Sequence, residues 1–422
     1  MRFASFFLLL TLFVLPSFSA TANAEDWPSW RGPRGDGSSI EKNVPTHWDG
    51  TTGENITWKV ELPGWGHSSP IVSNGRVFIV ACDEETEDRV LLSLDRKTGK
   101  TLWQKTIFQA PLERKHNLNS FASGTPATDG KTVYVTFLQP DISDLRKATP
   151  GNVIVAAYDF EGNRQWRVDV GRFSSKHGFC TSPVIYKDKL IINGDHDGSS
   201  YIAALDRNTG KTVWKVDRAN KTRSYVTPII REIDGRTQMI LSGSLAVTSY
   251  DPNDGSIHWT MQGPTEQFVA SLVYNNKYLY LTAGFPEHHI LCIDPTGSGD
   301  VTDTHIRWRT KKGASYVPSP AVIGSDYFFV VSDAGIASCF DAESGEPHWV
   351  KRMGPHYSAS MITAGGLAYF LSDPGVMTVV KPGADYNVVS ENPLGENCYA
   401  SPAVSDGQIF LRGEKHLFCI GK

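Results

Sequence analysis

One phrase constrains this chain more than any other: ALDRNTGKTVW at residues 204–214. It returns as LDRKTGKTLW at 94–103, and more loosely as YDPNDGSIHW at 250–259 and FDAESGEPHW at 340–349. A shortened copy, YDFEGNRQW, occupies 158–166, and a copy with an insertion runs over 293–308. A unit that comes back about every 40 to 57 residues signals a repeat architecture. The phrase itself reads as a hairpin. Apolar runs flank an Asp-x-x-Thr-Gly core, where the Asp carboxylate can bond nearby amides and the Gly accepts positive φ. The Trp beyond it belongs to the second strand. One indole per unit, at Trp58, Trp103, Trp166, Trp214, Trp259, Trp308 and Trp349, is more than a lone hairpin can bury. These rings are expected to fill the seams between neighbouring units, and Trp214→Ala is expected to cost about 3–5 kcal/mol.

The unit starts are also marked. A Ser/Thr-Pro precedes an apolar strand at Pro70, Pro126, Pro183, Pro228, Pro320 and Pro402, and two further starts, at Ser271 and Ser360, lack the Pro. Each is followed by a tight turn signal such as Asn74-Gly75 or Asp406-Gly407. Four antiparallel strands repeated eight times predict an all-β, eight-bladed β-propeller over residues 55–422, with seven blades as the alternative count. The seventh unit has no Trp near 386–390. Residues 55–62 (NITWKVEL) look like the Trp-bearing end of a unit, and residues 401–422 like a unit that stops before its Trp strand. Pairing the N-terminal strand with the C-terminal blade would close the ring and remove both free edges.

Ahead of the repeats, residues 1–24 read as a secretory signal: Arg2, an apolar run at 6–14, and Ala22-Asn23-Ala24 as the cleavage site. The run is short for a membrane span, and no Cys stands near the cleavage site to carry a lipid. The chain is therefore expected to be secreted, periplasmic or extracellular, without a membrane span or lipid anchor. Residues 25–54, rich in Gly, Pro and Trp, read as an irregular lead-in strapped across the fold by Trp27, Trp30 and Trp48. Arg34-Gly35-Asp36 within it is better read as a Gly-rich loop than as an adhesion motif. The net charge of −4, with basic residues dispersed, argues against a nucleic-acid partner.

The small residue, Asp, Thr-Gly-Lys and Trp of the repeated phrase resemble the tryptophan-docking repeat of pyrroloquinoline-quinone (PQQ)-type propellers. The likeness runs from about residue 55 to the C-terminus, and WPSWRGPRGDG at 27–37 is similar to the lead-in of secreted PQQ-like repeat proteins. The family holds quinoprotein dehydrogenases and also protein-binding propellers of the outer-membrane assembly factor BamB type. The dehydrogenase side of the resemblance implies PQQ, Ca²⁺, an Asp base and a disulfide between adjacent cysteines. Here Cys82, Cys180, Cys292, Cys339, Cys398 and Cys419 include no adjacent pair, and the family's catalytic Asp and Ca²⁺ ligands match no position. Cys292, Cys339 and Cys419 share a column with Ser93, Ala157, Ala204 and Ser249, so they read as compact apolar residues, mostly as free thiols. Asp195-His196-Asp197-Gly198 reads as a polar hairpin turn rather than a metal loop, and His288-His289 as a solvated loop.

Propeller geometry puts the longer second-to-third-strand connections on one face, together with the approaches to the inner strands. Variable loops on one rigid face are the usual place for binding. On that face His67, Tyr225, Phe268, Tyr316, His356, Tyr357 and Tyr399 form a candidate ligand mouth around the channel. No nucleophile with a paired base is recognisable. The reading is a non-catalytic scaffold binding a protein or peptide, with no cofactor expected. The alternatives are a PQQ- and Ca²⁺-dependent dehydrogenase and a carbohydrate or small-ligand binding module.

Overall fold

The computed structural model describes residues 24–141, 149–219, 221–243 and 245–422. The expected leader, apart from Ala24, and part of the longest connection, 142–148, lie outside the described residues. The rest is all β, with no helix among the described residues. Eight antiparallel sheets of four strands follow one another around a ring, which decides for eight blades. Blades 1 to 7 span 71–109, 127–175, 184–217, 229–262, 273–310, 321–352 and 362–393. The eighth takes three strands from 403–420 and its fourth from Ile56–Glu61. That strand pairs with the C-terminal one from Trp58↔Cys419 to Glu61↔His416. Two arginines reinforce the closure. Arg96 of blade 1 reaches Asp406 Oδ2 at 2.8 Å and the Ser405 carbonyl at 2.9 Å in blade 8. Arg412 of blade 8, fully buried, donates to Ser68 Oγ and the Val80 carbonyl at 2.8 and 2.7 Å.

The repeated phrase works at the seams. The indole N–H of Trp58 donates to the Arg96 carbonyl at 2.9 Å, that of Trp166 to Arg207 at 2.9 Å, and that of Trp308 to Ala342 at 3.1 Å. Each acceptor follows the Asp of the next blade's turn. The ring then lies over that turn's glycine. A Cβ on Gly99 or Gly210 would come within 2.7 Å of Trp58 or Trp166, and both glycines have φ near +70° (71° and 72°). The Thr-Gly step is thus selected both by the turn and by the neighbour's indole. In the sheet, the small-residue column stands directly opposite the Trp: Ala204↔Trp214, Cys292↔Trp308, Cys339↔Trp349. Space beside the indole explains why only Ala, Ser or Cys stands opposite it. All six cysteines are free.

Blade 7 departs from the pattern. Ser390, opposite Val379, stands where the Trp belongs. The lead-in runs alongside: Asn392 accepts from the Trp48 amide at 3.0 Å and donates to the Thr46 carbonyl at 3.0 Å. Trp48, 4% exposed, joins the apolar cluster that spans blades 7, 8 and 1. An indole from outside the repeats therefore serves the seam that lacks its own. In blade 5 the long turn adds Gly299–Asp300 as a fifth, parallel strand on the outer edge of blade 4.

The rest of the lead-in lies across the tight-turn face. Trp27 pairs with Val72 of blade 1, the Pro28 carbonyl accepts from Thr128 of blade 2, and Asp36 meets Arg231 of blade 4 at 2.9 Å. Ser39 donates to the Thr363 carbonyl of blade 7, and Glu41 accepts from the Asp406 amide of blade 8 at 2.6 Å. Arg31, 1% exposed, bonds the carbonyls of Pro320 and Met361, at the starts of inner strands. Within the Arg-Gly-Asp triplet, Arg34 grips Glu25 through both oxygens at 2.6 and 2.7 Å while Asp36 holds Arg231. Both charged members of the triplet are engaged internally.

Candidate functional site

The Ser/Thr before each Pro does more than start a strand. The amide of Thr125 donates to Ser182 Oγ, that of Ser271 to Ser319 Oγ, that of Ser319 to Ser360 Oγ and that of Ser360 to Ser401 Oγ, each at 3.0 Å. Ser69 and Thr227 bond their next neighbours in the same way. This girdle runs from blade to blade around the channel. It satisfies amides at the approaches to the inner strands, where no sheet ladder can.

Above the girdle, on the face of the longer loops, the channel opens into a cavity of about 550 Å³. Trp30 of the lead-in is part of its wall. Since the lead-in crosses the opposite face, Trp30 forms a floor and the channel is a blind cup. Five of the seven expected mouth residues, His67, Tyr225, Tyr316, His356 and Tyr399, line it. Phe268 and Tyr357 do not: they are 0% and 1% exposed and belong to the blade cores. These two sit in the two units without the Pro. Counted from the girdle, they stand three residues before Ser271 and Ser360, level with the buried Ala122 and Phe179, whereas the cup-facing His67, Tyr225 and Tyr399 stand two before Ser69, Thr227 and Ser401. Val269 and Ser358, one position further along, face the cup instead.

Sequence reasoning missed His116, His177, Asp333 and Asp373. The two histidines lie on neighbouring blade-to-blade connections, laced together by Asn119, which donates to the His177 carbonyl at 2.8 Å. Their rings meet edge to face at 5.6 Å. Asp333 and Asp373 share the Ser-Asp-x-Gly turn of blades 6 and 7, a local repeat that could have signalled them. Asp333 accepts the amides of Tyr316 and Val317 at 2.9 and 3.0 Å. Asp373 accepts the Ser358 amide at 2.7 Å and His356 Nδ1 at 2.6 Å.

The 195–198 loop is the polar turn joining two paired strands, but its carboxylates are drawn inward by packing against blade 4: Asp195 is fully buried against Arg218 at 2.6 Å, and Asp197 holds Arg223 at 2.6 Å. One expectation for a neighbouring loop needs correction. Of the His288-His289 pair, only His288 is exposed, at the cup; His289 is buried on a strand opposite Ala283.

The electrostatics of the cup are close to neutral. Among the described residues its lining contains no Lys or Arg and one carboxylate, Asp333. Burial first, then Arg412 and Lys115, push the His67 pKa down to about 3. Burial, with Arg223 and His116, pushes His177 down to about 4. Both rings are neutral at pH 7. Burial raises the Cys180 thiol to about 12, so it offers no thiolate nucleophile. For His67 the sign is clear. An unfolded chain protonates this histidine near 6.5, the folded one only near 3, so its stabilising contribution is complete above about pH 6.5 and is lost as pH falls toward 3. Between pH 7 and pH 4.5 it accounts for about 2 kcal/mol of lost stability. His67→Phe should flatten that part of the profile; urea midpoints for both proteins at the two pH values check it, and parallel profiles would refute it.

With this geometry in view, comparison with known proteins decides the family. A family profile described as outer membrane protein assembly factor BamB matches residues 41–137, 87–349 and 286–419. The chain belongs to that family. No curated protein matches it. Among solved structures it is similar to BamB from Moraxella catarrhalis, with 15% identity over 87% of this chain and 97% of that one, at a TM-score of 0.61. It is also similar to quinohemoprotein alcohol dehydrogenases. The one from Comamonas testosteroni shares 13% identity over 94% and 81% of the two chains, at a TM-score of 0.63. Enzyme ADHIIG from Pseudomonas putida HK5 shares 12% over 93% and 80%, at 0.64. At these identities the likeness to solved structures is one of fold.

The residues of this BamB-family chain do not fit a Ca²⁺–PQQ centre at the cup. Ca²⁺ takes six to eight oxygen ligands, usually with several carboxylates, and the single lining carboxylate already accepts two amides. PQQ carries three carboxylates, and among the described residues no Lys or Arg lines the cavity to meet them.

Proposed function

We propose that this protein is a non-catalytic binding scaffold whose loop-bearing face receives a protein or peptide partner. One observation carries the reading: the rim is lopsided around a blind channel. In blades 1 and 2 the second to fourth strands run to 8–12 residues, among them Arg76–Asp83, Thr132–Pro140 and Arg164–Ser175. Elsewhere these strands have five to eight residues, most of them five or six. The long hairpins raise a wall on one side of the cup, while the lead-in covers the other end of the channel. A partner approaching from the open side gains the wall as a second surface. The BamB described as an assembly factor is a precedent for the architecture in a binding role. The leader expected at residues 1–24 would deliver such a scaffold to the periplasm or beyond.

The test is capture of partners from an envelope extract by the purified protein, compared with variants whose 83–89 and 139–152 connections are shortened. A retained protein should be lost from the shortened variants while their circular dichroism is unchanged. Retention that survives shortening would refute the rim as the docking surface. A fluorescence titration with PQQ, with and without Ca²⁺, addresses the dehydrogenase alternative: saturable Ca²⁺-dependent quenching would overturn the scaffold reading.

A further inference from the structure

The cup interior has a chemistry of its own, separate from the rim. Among the described residues its wall holds planar rings and hydroxyls but no Lys or Arg. The hydrogen-bonding sense of these groups is set by what lies behind them. Asp373 accepts from His356 Nδ1 at 2.6 Å. The ring proton is thereby fixed on Nδ1, and in the neutral ring Nε2 is an acceptor. Asp373 is itself held by the Ser358 amide and hydroxyl at 2.7 and 3.0 Å. The Tyr316 hydroxyl donates to Gln267 Oε1 at 3.1 Å, and the Tyr399 hydroxyl to Glu414 Oε1 at 3.3 Å. Each phenol has thus used its proton and keeps an acceptor oxygen. The Tyr399 ring is fixed against His67, with centroids 4.7 Å apart. Trp30, partly exposed, closes the floor.

The three acceptors at the mouth, His356, Tyr316 and Tyr399, ask for a ligand that brings donors to them. A carboxylate or phosphate brings only acceptors and would find no cation. A peptide backbone brings one acceptor for each donor, so half of its polar groups would face these acceptors unpaired. A sugar ring brings several O–H donors and a C–H face that packs on an aromatic ring, and its size suits a cavity of about 550 Å³.

We propose that the cup is a binding site for a neutral polyhydroxylated ligand, a sugar ring or short neutral oligosaccharide, with its face on Trp30 and its hydroxyls donating to His356, Tyr316 and Tyr399. The proposal goes beyond partner docking at the rim and does not depend on it. Free sugars and the ends of polysaccharide chains share this chemistry. The blind floor admits either from one side only.

The experiment screens the purified full-length protein on an array of neutral and acidic glycans, then titrates the retained glycan by calorimetry, alongside its constituent free disaccharide. Retention of neutral but not acidic glycans is expected. Equal affinity for the disaccharide and the longer glycan marks a free-sugar site, and stronger binding of the longer glycan marks a chain-end site. His356→Ala should weaken binding at least tenfold with unchanged circular dichroism, and His356→Gln, which retains an acceptor, should restore part of it. Trp30→Phe should weaken binding less than Trp30→Ala. Absence of any neutral ligand on a folded protein, preference for acidic glycans, or indifference to His356→Ala would each overturn the proposal. None of these outcomes bears on partner capture through the hairpin wall, so the two readings fail separately.

Discussion

Trp259→Ala should lower the free energy of unfolding by about 3–5 kcal/mol, and by more than the same change at Trp214. The two residues occupy the same place in neighbouring repeats, yet their surroundings differ. Trp214 is only partly buried, and its N–H reaches the Pro252 carbonyl at 3.3 Å. Trp259 is 0% exposed. The fifth strand added by blade 5 pairs directly beside it, Trp259↔Gly299. Its N–H donates to Gln238 Oε1 at 2.7 Å, and that buried oxygen also accepts from Ser249 Oγ at 2.7 Å. Alanine at 259 leaves a cavity that the flanking sheet cannot fill and removes one of the two donors to Gln238. Alanine at 214 opens a site that water can reach, so the 3–5 kcal/mol expected from the sequence is revised down to about 1–3 kcal/mol there. Denaturant titration of both variants checks the order. A larger loss at Trp214 would mean that the insertion strand does not seal the seam.

Asp195→Ala should cost a comparable 3–5 kcal/mol, because it strands a buried charge. Arg218 lies between blades 3 and 4 with its side chain 4% exposed. Its guanidinium meets Asp195 at 2.6 Å, the Tyr250 hydroxyl at 2.6 Å and the Gly243 carbonyl at 2.8 Å. Burial works against the arginine's charge, but Asp195 and Tyr250 outweigh it, and its pKa is shifted upward overall. Without the carboxylate the balance reverses. The double variant Asp195→Leu/Arg218→Met should recover much of the loss, since an apolar pair of similar volume needs no counter-charge. A double-mutant cycle measures the coupling, and a coupling below about 1 kcal/mol would place this pair with ordinary surface ion pairs.

The same loop shows where reading a sequence reaches its limit. Asp195-His196-Asp197-Gly198 carries the local marks of a polar hairpin turn and nothing more. Only the approach of Arg218 and Arg223 from later in the chain turns it into a node joining two blades. The mouth residues divide for a similar reason. His67, Tyr225 and Tyr399 stand two residues before Ser69, Thr227 and Ser401, the phase that faces the channel. Where the Pro is missing the register is harder to read: the blade-to-blade bonds of Ser271 and Ser360 align those units, and they leave Phe268 and Tyr357, three residues before, in the core.

What the sequence by itself determined is the architecture. The spacing of Asp, Gly and Trp specifies one hairpin and one seam per unit, and the split repeat at the termini specifies closure, because these rules act within a repeat or between identical neighbours. What only the tertiary structure decided is the site. The blind floor made by Trp30 and the Asp373–His356 pair at the mouth join residues from different blades or from outside the repeats. No periodic signal encodes their meeting, since each is a contact between unlike segments that only the closed ring brings within hydrogen-bonding distance.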